Sequence, residues 1–102
     1  MFTKQAMQRL IQQLVSADES EREAARLAFY QMDEDAIEPL SSEFYAGVNE
    51  TLGLAIIDVV SAIGGPEALS LLLDVYHFNE RAVWKNAARA GLVFNNQPVD
   101  DE

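Results

Sequence analysis

Five of the seven lysines and arginines in this 102-residue chain, Arg22, Arg26, Arg81, Lys85 and Arg89, sit in two short stretches near opposite ends. Each stretch has helical spacing. Arg22, Arg26 and Phe29 share one angular sector of a helix, and Arg81, Lys85 and Arg89 share one on another. Between them, residues 27–80 contain no lysine or arginine and hold most of the acids, Glu50 and Asp58 among them. Two basic patches flanking an acidic, apolar centre suit non-covalent recognition, such as gripping a peptide or a partner's helix. The competing reading is internal pairing, with Asp58 and Glu50 answering the arginines from neighbouring helices.

Reactive chemistry has little support. With no cysteine, disulfides, thiolate nucleophiles and cysteine-ligated zinc are excluded together. His77 is the single histidine, reads as a solvated turn residue, and has no second imidazole with which to hold a transition metal. The carboxylate runs Asp33-Glu34-Asp35 and Asp100-Asp101-Glu102 lack the glycine-bearing loop and spaced oxygens of a calcium hand. There is no Gly-x-Ser-x-Gly elbow, and Gly64-Gly65-Pro66 punctuates a helix instead of cradling phosphate. No catalytic residue, metal ligand or cofactor is therefore assigned, and the chain is read as not an enzyme. A net charge of −10 argues against a nucleic-acid partner, because phosphate binding needs clustered cations. The first residues hold no apolar run, and the longest apolar stretches are broken by Asp58, Gly64 and Pro66. Neither a signal peptide nor a membrane span is expected, so the expectation is a cytoplasmic protein.

Six helices must position these side chains. Periodicity and punctuation place the first over residues 4–15, capped by Thr3. The second starts after Asp18 or Ser20. Asp33-Glu34-Asp35 open the third, with Pro39 near its first turns. Asn49 caps the fourth, over residues 50–63. Gly64-Gly65-Pro66 separates it from the fifth, over residues 66–76. Asn79 caps the sixth, which lasts to about Phe94, and Asn95 begins a frayed polar tail. On the fourth helix Leu52, Ala55, Ile56, Val59, Val60 and Ile63 form one stripe. The opposite side carries Glu50, Leu54, Ile57, Asp58 and Ser61. Leu54 and Ile57 are thus apolar where a surface helix is polar. They read either as the mark of a central, buried helix or as a sticky surface patch. Most aromatic residues read as packing between helices, with Tyr30 or Tyr45 as alternative anchors for a partner.

A repeat organises the six helices. Ala36-Ile37-Glu38-Pro39-Leu40 recurs as Ala68-Leu69-Ser70-Leu71-Leu72, and Glu23-Ala24-Ala25-Arg26 is echoed by Asn86-Ala87-Ala88-Arg89. A period in the thirties indicates stacked helix pairs, none of which can bury its apolar face alone. Leu14-Val15-Ser16-Ala17-Asp18 with Arg22 and Ala25 resembles the inter-helix turn of HEAT repeats, particularly the bacterial units also found in phycobilisome lyases. Ala62-Ile63-Gly64-Gly65-Pro66-Glu67-Ala68-Leu69 resembles the link between their successive units. The middle unit departs from the pattern, with Gly47-Val48-Asn49 at the turn and Leu52-Gly53 where an arginine would fall.

This resemblance implies an all-α fold, a short right-handed α-α superhelix (solenoid) of three antiparallel helical hairpins. The units span about residues 3–33, 34–64 and 65–95 of one domain, 1–95, and 96–102 form an acidic flexible tail. It implies a non-catalytic protein- or peptide-binding scaffold whose second helices line a concave face. The partner-binding residues would be Arg22, Arg26, Phe29, Glu50, Leu54, Ile57, Asp58, Arg81, Lys85 and Arg89. Two alternatives stand beside it. One is a homodimer through the N-terminal helices, prompted by Met7, Leu10, Ile11 and Leu14 on the first helix. The other, resting on kinship alone, is a subunit of a chromophore lyase.

Overall fold

The computed structural model describes residues 3–97, and among these every regular element is helical. The helices are α1 (Lys4–Gln13), α2 (Glu19–Met32), α3 (Ile37–Ala46), α4 (Glu50–Ile63), α5 (Pro66–Phe78) and α6 (Ala82–Phe94), with a 3-10 turn at Asp33–Ala36 before α3. Local chemistry sets most of the starts. The Thr3 hydroxyl accepts from the Ala6 amide, the Asp18 carboxylate from the Ser20 amide, and the Asn49 side chain from the Leu52 amide. Gly64 and Gly65 take φ of 74° and 92°, and Pro66 follows at the first helical position, a sequence of conformations that a side chain at either glycine would resist.

Several boundaries differ from expectation. The first helix stops at Gln13, because Leu14, Val15 and Ser16 bond back three residues to Ile11, Gln12 and Gln13, tightening the chain out of the α-helix. Asp33-Glu34-Asp35 belong to the 3-10 turn and not to α3. Asn95 is no frayed end. Gln97 N–H donates to Leu92 C=O and Asn96 N–H to Val93 C=O, with Asn96 at φ 61°, which closes α6 in a Schellman cap. The remainder of the expected acidic tail lies outside the described residues. α5 also runs further than expected, to Phe78 with Asn79 as its C-cap, and the N-cap of α6 is Arg81, whose amide donates to the Asn79 side chain.

Packing follows hairpin order. α1 lies on α2, α3 on α4 and α5 on α6; α2, α4 and α6 touch in succession, and α3 touches α5. The molecule is longer than it is wide, 40 × 24 × 24 Å. α4 packs against α2, α3, α5 and α6, and Leu52, Gly53, Ile56, Ile57, Val59 and Val60 are all buried on it. Among the described residues no buried side chain is polar or charged, so the core is purely apolar and avoids unpaired polar burial.

The α4–α6 seam is tightly packed. A Cβ on Gly53 would overlap the indole of Trp84, and a Cβ on Gly91 would overlap the Ser61 hydroxyl. Glycine at each position lets the opposing side chain reach the helix backbone. The Trp84 indole N–H donates to Glu50 C=O at 3.1 Å, and the Asn95 amide donates to Ser61 C=O at 3.0 Å and Gly91 C=O at 2.7 Å. Gly53→Ala raises helix propensity yet inserts a methyl into a filled slot. We expect a net destabilisation of about 1–3 kcal/mol, read as a lower urea midpoint with unchanged slope. A neutral or stabilising result would show that Trp84 can withdraw without loss.

Candidate functional site

The candidate face is the one formed by α2, α4 and α6. On α4 an exposed or half-exposed strip runs through Glu50, Thr51, Leu54, Ala55, Asp58, Ser61 and Ala62. Two expected members of the face are absent from it. Ile57 and Phe29 are both fully buried, so neither can touch a partner. The reason for Ile57 is positional. α4 has a helix on nearly every side, and its apolar arc is wider than one stripe. Phe29 belongs to the buried side of α2, with Ala25 one turn before it.

The charged residues divide. Arg81 reaches back from the start of α6 to Glu50, 3.3 Å away, with its guanidinium 4.7 Å from the Trp84 ring centroid. Arg26 pairs with Glu23 on its own helix at 2.5 Å. That hydrogen bond, more than any other influence, raises the Arg26 pKa. Arg26 also acts electrostatically on Asp58 from α2 to α4. Arg22 donates to the Ser16 carbonyl at 2.5 Å, which ties down the α1–α2 turn. Internal pairing therefore accounts for Arg81 with Glu50, a surface pair of modest energy, whereas Arg26 is paired with Glu23 and acts on Asp58 only at a distance. Lys85 is half-buried and Arg89 exposed.

Between α4 and α6 lies a groove of about 370 Å³. Asp58, Ser61 and Ala62 line one wall, and Ala87, Ala90, Gly91 and Phe94 the other. Small side chains make its floor, and Phe94 stands at its edge 70% exposed. Sequence reasoning found Asp58 but missed Ala62, Ala87, Ala90 and Phe94. The available signal was the alanine-rich surface of the sixth helix, which has no polar reason to be there. Burial pushes the Asp58 carboxyl above its ordinary value, against the lowering effect of Arg26. Neither Glu50 nor Tyr30 lines this groove with Asp58.

Elsewhere, His77 is exposed in the last turn of α5, flanked by the rings of Tyr76 and Phe78. Among the described residues no three His, Cys, Asp or Glu side chains come together to hold a metal ion, and no helix is long and apolar enough to cross a membrane. The N-terminal dimer surface loses its motive. Ile11 and Leu14 are buried, Met7 and Leu10 pack against the core, and the exposed side of α1 carries Lys4, Gln5, Gln8, Arg9 and Gln12.

A raised folded-state pKa means that the folded chain holds the Asp58 proton more tightly than the unfolded chain. That contribution to stability is present at acid pH and lost as pH rises through the raised value. Asp58→Asn should therefore raise the melting temperature slightly at neutral pH, with the gain vanishing below the ordinary aspartate value of 3.8. Thermal melts of both proteins from pH 3 to pH 8 check the sign, and a loss of stability at neutral pH would mean that the Arg26 attraction outweighs burial. Compared with protein-family models, curated proteins and solved structures, the chain matches none.

Proposed function

We propose that this protein is a non-catalytic interaction module of three HEAT-like antiparallel hairpins, forming a short solenoid that binds a protein or peptide along its second helices. The observation that carries the reading is the successive contact of α2, α4 and α6, which presents one continuous side, with an open apolar-acidic groove between α4 and α6. A recognition surface needs a desolvated apolar centre with a polar rim. Leu54, Ala62, Ala90 and Phe94 supply the first, and Asp58, Lys85 and Arg89 the second. The reading places the module in the cytoplasm and gives it no cofactor and no nucleic-acid ligand. Kinship in pattern with lyase-associated repeats adds no reaction, since a scaffold of this kind is defined by its surface and not by its fold.

Leu54→Glu combined with Asp58→Lys should abolish partner capture while circular dichroism stays helical. Tagged protein from its native cell, compared before and after the change by mass spectrometry, reads the result. Unchanged partners on a folded double variant remove this face from consideration.

Self-association is the second reading, now favoured at the opposite end from the one expected. Val83, Val93 and Phe94 are 41%, 52% and 70% exposed on α6, and a second copy seated on that face would take them out of water. Light scattering at micromolar concentration should then give a dimer mass that Val93→Lys returns to a monomer. A monomer from the unaltered chain ends this reading.

A further inference from the structure

Tyr45 and Phe78 are large aromatic side chains left 60% and 79% exposed, although each sits beside a groove that closer packing would fill. Both line the same cleft of about 280 Å³, with Phe44 and Trp84 at its base and Asp74 at its side. Phe44 and Trp84 are only 6% and 7% exposed. Their rings lie 4.8 Å apart, and Tyr45 meets Phe44 edge-on at 5.9 Å. Four aromatic side chains and one carboxylate thus line a single cleft.

The ring faces are the negative regions of their quadrupoles, and Asp74 adds a formal charge. Tyr45 and Phe44 belong to the last turn of α3, and Asp74, Val75 and Phe78 to the closing turns of α5, so two helix C-termini, the negative ends of their dipoles, also border the cleft. One first turn, that of α6, contributes Trp84. The cation nearest to it, Arg81, pairs with Glu50 and lies over the Trp84 ring, and it does not itself line the cleft. Aromatic walls of this kind attract cations, and an uncharged apolar occupant would gain nothing from the carboxylate.

The Tyr45 hydroxyl donates to one oxygen of Asp74 at 2.5 Å. Burial of the phenol's hydroxyl end, and then this bond, push its pKa up to about 12, so it remains a neutral donor at any physiological pH. With one carboxylate oxygen committed, a guanidinium fork would have to displace the phenol to bind in its preferred two-point manner. A compact ammonium needs only the other oxygen and the ring faces.

The geometry points to a docking site for a lysine side chain of a partner protein, its ammonium seated against the exposed rings of Tyr45 and Phe78, above Phe44 and Trp84, and paired with Asp74. This site lies apart from Leu54 and Asp58 and stands whether or not the second-helix face binds anything.

Trp84 is the only tryptophan in the chain, so its fluorescence reports on the cleft directly. The full-length protein is titrated with N-acetyl-lysine amide, and in parallel with N-acetyl-norleucine amide and N-acetyl-arginine amide. The expected result is a saturable change with the lysine probe, about tenfold weaker binding of the norleucine and arginine probes, and a similar loss of lysine binding in Asp74→Asn and Phe78→Ala. Both altered positions are exposed, and circular dichroism confirms their fold. The double change at Leu54 and Asp58 should leave the titration untouched, which separates this site from the second-helix face. No saturation, equal binding of norleucine, tighter binding of arginine, or indifference to Asp74→Asn would each overturn the assignment.

Discussion

Two glycines facing two side chains across the α4–α6 seam impose the constraint on which the rest of the structure rests. Gly53 admits the Trp84 indole and Gly91 admits Ser61, and at each end a hydrogen bond runs from an α6 side chain to an α4 carbonyl. Close approach of helix backbones multiplies short dispersion contacts, each small and together large. It also fixes axial register, because a slide of one residue would drive a methyl or a ring into backbone. With α6 keyed to α4, α5 can close over both, and α4 is left with solvent along one strip alone.

That same keying organises both candidate surfaces. Trp84, held by its N–H to the Glu50 carbonyl, supports the Arg81 guanidinium on the side of α4 and forms the base of the aromatic cleft beside α3 and α5. The seam's other end sets the groove where Asp58 faces Phe94. An apolar core without a single buried polar side chain among the described residues gives these surfaces a rigid base. Their own polar groups are paired locally: Glu50 with Arg81, Asp74 with Tyr45, Arg22 with a turn carbonyl. Preorganised surface groups of this kind lose little freedom on binding.

Helix number and most helix starts were legible because caps are local. Thr3, Asp18, Asn49 and Pro66 act within a few residues of themselves, and the chain's pattern displays them. Errors came where distant packing overrode a local rule. Leu14 and Val15 match helical periodicity, yet leave the helix to enter a tight turn with Leu14 buried beneath it. Asn95 reads as tail polarity, yet its amide bridges two helices. Ile57 sits on the angular side that a surface helix gives to water, which left a buried central helix and a surface patch both open; the helices packed around α4 bury it.

Composition, capping residues and apolar spacing were enough to specify an all-helical chain with acidic surfaces and no reactive thiol. These are properties of single residues and of neighbours along the chain. Which of the charged and aromatic side chains meet was settled by assembly. Arg81 finds Glu50, Tyr45 finds Asp74, and Phe94 finds the groove of Asp58 through contacts between helices far apart in the chain. Such meetings depend on helix register and crossing, which one-dimensional periodicity does not encode.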